Sequence, residues 1–404
     1  MENITKRKIL NDLILNIMAS IVLTATLQIF VYPFISNSVG IIEFGSILTI
    51  IGISNALGSM FGVSLNNVHL LNQNVLKDED LGNFKILLKD SSIIITVIMI
   101  IFASIFFKQF NKFNYIIICI VSVFTMLRSY LGVYYRIELN YRYIFNNSIL
   151  TSIGFLIGIV TFKLIKIWAL IFLVGELFSF IYFFKTTNFK KQYYKRTDKF
   201  DKIRSEYFQL VSSNSIANIL IYLDRIVINP ILGPANVSIY FISSFVGKMF
   251  AIVLQPIASI ILTYISKLEK INPKKIFNLM IVSLTIFGVG AFLVSIPITP
   301  IIIKILYPEA WNEVSKYFIF ANLAAILMTV GSLLQPLTLK YAPLWWQGVI
   351  QSIYGFIYFI GGIFSMIYFQ LIGFCILTIL ANLIRFILLI IVSYKYCNDN
   401  LLTE

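Results

Sequence analysis

Charge is the scarcest property of this 404-residue chain: 12% of its residues are charged and 59% are hydrophobic. A soluble domain carries roughly a quarter charged residues, so that class is excluded. Carboxylates are scarcer than cations, 18 Asp and Glu against 32 Lys and Arg. Three cysteines (Cys119, Cys375 and Cys397) cannot build a disulfide framework, and two of them lie in apolar runs where a thiol behaves as a small hydrophobe. The lone histidine, His69, excludes a His-rich metal site and argues against His-based catalysis. No cofactor or metal motif is present. No small-residue cleavage site follows a short apolar region after Lys6, Arg7 and Lys8, so the first apolar run reads as an uncleaved anchor. With 36 Phe and 22 Tyr, no stretch is polar enough to stay disordered.

What the chain has is long apolar runs. A helix needs about 20 residues to cross the hydrocarbon, and twelve such runs are read at 12–35, 45–66, 90–107, 115–135, 144–162, 167–185, 208–230, 237–265, 276–303, 313–336, 345–368 and 371–394. The expected fold class is therefore an all-α integral membrane protein without a large soluble domain. Tight turns at Asn37 to Gly40, Gly233-Pro234 and Tyr307-Pro308-Glu309 separate spans, and Lys77 to Asp80 is a solvated loop.

Cations set the orientation. With the N-terminus inside, the even-numbered connections and the termini hold 22 of the 32 Lys and Arg, and the opposite side holds 5. That asymmetry places both termini in the cytoplasm. In a soluble chain the net charge of +14 would suggest nucleic acid. Here it anchors topology, and no nucleic-acid partner is expected.

The most basic stretch, 185–204, has eight Lys or Arg and falls near the midpoint of the chain. It is expected to lie on anionic headgroups and to link two halves. The organisation read from it is a first six-helix bundle over 1–186, a basic cytoplasmic linker over 187–206 and a second six-helix bundle over 207–404. A weak repeat agrees. Tyr32-Pro33 leads to Gly40 and Glu43, and Asn229-Pro230 leads to Gly233 and Asn236, an offset of about 195 residues. Two halves with the same N-inside start are parallel repeats about an axis along the membrane normal.

Polar residues form stripes on four equivalent spans. Span 1 carries Asp12, Asn16, Ser20, Thr24 and Gln28; span 2 carries Asn55, Ser59 and Asn66. Span 7 carries Asn214, Asn218, Tyr222, Arg225 and Asn229; span 8 carries Ser244, Lys248, Gln255 and Ser259. Residues three and four apart share a helix side, so each set marks one face. Interhelical hydrogen bonding uses the same residue types. Recurrence on spans 1, 2, 7 and 8 points instead to a shared water-filled cavity.

Five cations lie inside spans: Arg128, Arg225, Lys248, Lys316 and Arg385. A cation at the bilayer centre costs about 2.5–3.5 kcal/mol even on insertion scales. Lys248 is near mid-span, Arg225 is closer to the outer end where snorkelling is open to it, and Arg128, Lys316 and Arg385 have the alternative reading of interface anchors. The deepest carboxylates are Asp224 and Glu176, candidates for ion coupling or for pairing with a neighbouring cation. A net-cationic cavity suits a phosphate or pyrophosphate. The candidate substrate-binding set is Arg225, Lys248, Arg128, Lys316, Arg385, Asn16, Gln28, Asn55, Asn218, Tyr222 and Gln255.

The run Tyr222-Leu223-Asp224-Arg225-Ile226-Val227-Ile228, followed by Leu232-Gly233 and Val237-Ser238-Ile239-Tyr240, resembles bacterial polysaccharide flippases. These are the O-antigen and capsule repeat-unit translocases of the multidrug/oligosaccharidyl-lipid/polysaccharide (MOP) superfamily. The first hairpin, with Gln28, Tyr32-Pro33 and Gly40-Ile41-Ile42-Glu43-Phe44-Gly45, resembles the same family's N-terminal signature, which drug exporters and lipid II flippases share. The resemblance implies two six-helix bundles related by a pseudo-twofold axis, with spans 1, 2, 7 and 8 lining a central cavity. It implies an undecaprenyl-pyrophosphate-linked oligosaccharide substrate moved from the inner to the outer leaflet of the bacterial cytoplasmic membrane. Membrane lipids, polysaccharide polymerases and glycosyltransferases are the implied partners. Span 2 lacks a mid-span cation, so anion binding falls on the C-terminal half and Arg128.

Two other functions compete. A drug or small-molecule antiporter of the same architecture normally carries cavity carboxylates, and here cations dominate. A membrane-embedded polysaccharide enzyme needs a catalytic constellation, and the chain has neither a long extracytoplasmic loop nor a His-plus-carboxylate set. No enzymatic activity is expected.

Overall fold

A computed structural model describes residues 6–73, 75–106, 111–191, 194–252, 254, 273–343 and 345–399, and the described chain is helical apart from its turns. The helices are α1 (Lys6–Ala25), α2 (Tyr32–Val39), α3 (Ile41–Asn72), α4 (Leu81–Phe106), α5 (Lys112–Ile137), α6 (Tyr141–Ile165), α7 (Ala169–Thr186) and α8 (Phe200–Leu232). They continue as α9 (Pro234–Ser243), α10 (Phe245–Ile252), α11 (Pro273–Leu306), α12 (Trp311–Val314), α13 (Phe318–Tyr341), α14 (Trp345–Phe356) and α15 (Gly362–Asp399).

Nine segments among the described residues are long and apolar enough to cross a membrane. The longest, Trp345–Asn398, folds back on itself. Gln370 leaves the helical region at φ 57°, ψ −149°. On either side of it Gly361 faces Leu377, Gly362 faces Phe374, and Gly373 faces Ser365, the register of an antiparallel hairpin. Helix α8 is long enough to span, and its polar residues alone lower its hydropathy. Helices α9 and α10 meet at a 59° bend that begins one further span. Gln255 and Ser259 lie outside the described residues. The described residues thus fit the reading of about twelve spans, and the chain is a multi-pass membrane protein.

Lipid-facing surfaces follow from helical spacing. On α11, Leu279, Val282, Ile286, Val289 and Leu293 recur every three or four residues and are 55–70% exposed. The opposite side, with Phe277, Leu284 and Ala291, is buried. An aliphatic face turned outward is the solution that hydrocarbon solvent demands.

The chain forms two compact units, one of Met1–Gly40 with Ser46–Ile226, the other of Ile41–Gly45 with Val227–Glu404. The change of unit at the seventh span comes within α8, at Ile226, later than the basic segment expected to divide the halves.

In the first unit α6 packs along α7 through small residues. Gly154 and Gly158 form a G-xxx-G pair, and a Cβ on either would come within 3.0 Å of the α7 backbone. Gly58 and Gly62 do the same for α3 against Thr125, Met126 and Ser129 of α5. Close backbone approach replaces the hydrophobic drive that lipid removes.

The two repeated turns have one geometry. Gly40 adopts φ 83°, ψ 168° and Gly233 adopts φ 84°, ψ 167°, values open to glycine and strained for other residues. The amide of each donates four residues back, Gly40 to Ser36 at 2.9 Å and Gly233 to Asn229 at 3.0 Å. Nothing lies within 4 Å of a Cβ at either position, so the requirement is purely conformational. In the second unit, α3 starts against α9: Ser238 Oγ donates to the Ile41 carbonyl at 2.7 Å. A Cβ at Gly45 would sit 1.8 Å from the Pro234 carbonyl oxygen. Gly45→Ala is therefore expected to force these helices apart and sharply reduce membrane-extracted folded protein, measured by fluorescence size-exclusion chromatography. Gly40→Ala and Gly233→Ala are expected to cost about 1–3 kcal/mol each through backbone strain. Wild-type behaviour of Gly45→Ala would contradict the contact.

The basic segment is tied into the first unit. Thr197 Oγ1 donates to Asp80 Oδ1 at 2.7 Å, and Lys199 Nζ donates to Asp80 Oδ2 at 2.7 Å and to the Val75 carbonyl at 2.8 Å. Asn83 exchanges two hydrogen bonds with Thr197. Burial raises the Asp80 pKa, but the Lys199 hydrogen bond, the Lys77 amide, the Thr197 hydroxyl and the Lys199 charge together hold it at about 2. A depressed carboxyl stabilises the fold above its unfolded pKa of about 3.9 and loses that contribution as pH falls through the folded value. Asp80→Asn is expected to lower stability by about 2 kcal/mol at pH 7, and the gap to wild type should close between pH 4 and pH 2 in thermal melts.

Candidate functional site

Arg225 is the anchor of a polar cluster inside the first unit. It is 8% exposed on α8, and its guanidinium lies 5.5 Å from the Tyr222 ring centre. The Tyr32 hydroxyl hydrogen-bonds it, and Tyr222 interacts electrostatically with Arg225, Arg128, Tyr32 and Asp224. Tyr32 reaches this point because the chain widens into a π-helical turn over Thr26–Val31 before Pro33. Proline lacks the N–H that an α-helix needs there, and a wider turn accommodates it. Gly52 on α3 leaves room: a Cβ there would lie 3.3 Å from Arg225 Cδ.

Glu176 on α7 is 4% exposed and accepts both of its strongest contacts from one atom, Arg128 Nε on α5, at 2.9 and 3.1 Å. Thr125 Oγ1 adds a contact at 3.3 Å. Beside this pair is a cavity of about 20 Å³ lined by Tyr32, Ser54, Asn55, Thr125, Arg128 and Glu176. It has room for about one water molecule and enough polar partners to hold one. The larger concavity, of about 810 Å³, is an apolar groove between α4 and α5 lined by Ile100, Ile116, Ile120 and Phe124, and no candidate residue faces it.

Arg225, Tyr222, Arg128, Asn55 and Glu176 are thus brought together. Asp224 is 5% exposed and accepts the backbone N–H of Arg225 at 2.8 Å. In the first unit one buried and one half-buried arginine therefore stand beside two buried carboxylates. The expected cationic excess is not found here.

The other candidates are dispersed. Asn16 is exposed on α1, and its neighbours Ser20 and Thr24 bond carbonyls of their own helix. Gln28 is half-buried in the π-helical turn. Asn218 accepts from Ser59 at 2.9 Å. Asn66, from the same stripe as Asn55, is 4% exposed and bonds the Ser129 and Tyr130 carbonyls, so the stripe on α3 serves packing at one end and the cluster at the other. Lys316 is on the surface, paired with Glu313 at 2.9 Å just before α13; it is not a span residue.

Lys248 and Arg385 belong to the second unit. The bend at Ser244 starts α10, and Lys248 on its first turn lies 5.4 Å from the Tyr240 ring and 5.7 Å from the Phe241 ring. Asn322, fully buried, fixes that turn: its side chain accepts the Gly247 amide at 2.7 Å and donates to Thr299 at 3.0 Å. Arg385 is 6% exposed on α15 and donates to Gln335 on α13. Among the described residues the spans from residue 227 onward hold no carboxylate; Glu309 and Glu313 lie between them and Asp399 beyond the last. Among the described residues the cationic excess of the interior is therefore in this unit. Sequence reasoning passed over Tyr32 as a ligand of Arg225, and Gln335 as the partner of Arg385. The signal for Gln335 was a lone amide in an apolar span before Pro336.

No protein-family model matches the chain, and no curated protein matches it. Solved structures do. A lipid II flippase, MurJ, in an inward closed conformation superposes with TM-score 0.70 at 15% identity, covering 98% of this chain and 90% of that one. An inward-facing multidrug-resistance MATE transporter of the MOP superfamily gives 0.72 at 11% identity, covering 96% and 95%. A Pyrococcus furiosus MOP-superfamily transporter, described as having a binding pocket of reverse polarity, gives 0.60 at 14%, covering 95% and 94%. These likenesses extend over nearly the whole of each chain, and the protein therefore shares the all-helical fold of these structures.

Proposed function

We propose that this chain is a flippase that carries an undecaprenyl-pyrophosphate-linked oligosaccharide from the inner to the outer leaflet of the bacterial cytoplasmic membrane, with both termini cytoplasmic. The observation that carries the reading is a lysine, Lys248, on the first turn of α10 over the Tyr240 and Phe241 rings, within a span. Arg225, stacked on Tyr222 and bonded by Tyr32, supplies a second, planar donor. Arg grips a phosphate through parallel hydrogen bonds, and Lys supplies a compact charge. Each is assigned to the pyrophosphate at some stage of alternating access. Each negative charge moved outward across an inside-negative membrane gains about 2.3 kcal/mol per 100 mV, so the potential itself favours export. Likeness to a lipid II flippase supports a lipid-linked cargo.

A drug antiporter is the second reading, favoured by the likeness to MATE transporters and by buried Glu176 and Asp224. Mass spectrometry of lipids that co-purify with the protein separates them. The flippase reading expects polyprenyl-pyrophosphate-linked sugars to be retained by wild type. Phospholipid alone, together with saturable binding of organic cations, would support the antiporter.

A further inference from the structure

The second unit contains a buried positive charge that none of its described residues neutralises. Arg385 lies mid-way along α15, 6% exposed, with its guanidinium 5.4 Å from the Tyr354 ring centre. Gly331 makes space for it: a Cβ there would meet Arg385 Nη1 at 3.8 Å and Leu389 Cδ1 at 3.9 Å. Among the described residues no carboxylate pairs with it. Helices α13 and α14 contain none, and α15 has only Asp399, about 21 Å further along the helix at 1.5 Å per residue.

The hydrogen bonds around Arg385 run in one direction. A guanidinium only donates, so Gln335 must offer it the carbonyl, and Arg385 Nη2 reaches Gln335 Oε1 at 3.1 Å. The Gln335 amide nitrogen then donates to Gln347 Oε1 at 3.0 Å. Turning either amide over would set donor against donor, so the orientation of both is fixed by Arg385. The chain ends in donors on both sides. Arg385 Nε and Gln347 Nε2 are each buried without an acceptor. A water molecule would satisfy a donor and leave the charge. An anion satisfies both.

We propose that Arg385, with Gln347 as a second donor, holds a small inorganic anion of chloride size inside the second unit. The size follows from the surroundings. Leu334, Ile350 and Leu389 of the same core are at most 1% exposed, and Tyr354 is 5% exposed. Neighbours packed so closely leave no room for a pyrophosphate bearing an oligosaccharide, so the ion must be small. The ion is a resident counter-charge that lets an arginine sit in a core of aliphatic side chains, where an unpaired ion is costly. This inference does not depend on which cargo the protein transports.

The test is thermal unfolding of the purified full-length protein in nanodiscs as sodium gluconate is replaced by sodium chloride at constant ionic strength. Wild type is expected to show a saturable rise of a few degrees, because an ion that binds only the folded state stabilises it by mass action. Arg225→Gln should keep that rise, and Arg385→Gln should lose it. Gln347→Leu, which leaves the charge, should need about tenfold more chloride for the half-maximal rise. If Arg385→Gln does not fold, the Gln347→Leu midpoint decides: a tenfold shift supports the site and an unchanged midpoint overturns it. No chloride response in wild type, or the same response in Arg385→Gln, also overturns it. A response to inorganic phosphate but not to chloride or bromide would overturn the halide assignment.

Discussion

Arg225→Gln and Lys248→Gln are each expected to cut surface polysaccharide at least about tenfold while leaving the amount of protein in the membrane unchanged. The magnitude is that of one lost hydrogen bond to a charged group, about 1.5–3 kcal/mol. The variants are read in a host whose own flippase is deleted. Gln keeps the hydrogen-bonding capacity and removes the charge, which is the property assigned to both residues. Arg225→Lys should be partly defective, since the charge stays and the fork is lost. Lys248→Arg should be better tolerated, because a point charge over the Tyr240 and Phe241 rings is replaced by one that stacks as well or better. A purely structural Arg225 predicts a different pattern. Its neighbour Asp224 is buried, so loss of the cation would lower protein level and Arg225→Gln/Asp224→Asn would restore it. Normal export by Arg225→Gln/Lys248→Gln would end the clamp.

The second large effect concerns Glu176 and Arg128. Breaking a buried ion pair by removing one partner leaves an uncompensated charge, at a cost of about 3–5 kcal/mol. The two sides differ in exposure: Glu176 has 4% of its side-chain surface open and Arg128 has 26%. Arg128→Met should therefore be the more damaging change, because the carboxylate it strands is the less exposed partner. Glu176→Leu strands an arginine that retains part of its hydration. The double variant Arg128→Met/Glu176→Leu should recover most of the loss, since apolar replacement of a whole buried pair is often neutral or stabilising. Thermal melts of the four proteins form the cycle. Strict additivity would mean that the pair contributes no coupling. If the stable double variant also exports normally, Glu176 is removed as an ion-coupling site.

The spans were legible because hydrocarbon solvent leaves a strong mark: the described helices overlap the read spans, and the turns at Gly40, Gly233 and Tyr307 are where the sequence places them. Side-chain partnership was far less legible. Helical periodicity tells which face a residue shares, not which helix that face meets. The stripe on α1 is spent partly on its own carbonyls, since Ser20 and Thr24 bond back by four residues. The stripe on α3 divides between α5 and the arginine cluster. Arg128 and Glu176 are 48 positions apart in sequence, and nothing in their local context announces the pair. The cationic excess was readable as a total. Its location in the second unit was not, because it depends on α8 packing mostly with the first.

The central claim is tested most directly by reconstituting the purified protein into liposomes with a fluorescent polyprenyl-pyrophosphate-linked sugar and measuring how fast the lipid becomes accessible in the opposite leaflet. The account predicts protein-dependent translocation, faster when the potential favours movement of negative charge and lost in Arg225→Gln/Lys248→Gln. Absence of lipid translocation, with the same vesicles transporting an organic cation against a proton or sodium gradient, would contradict it.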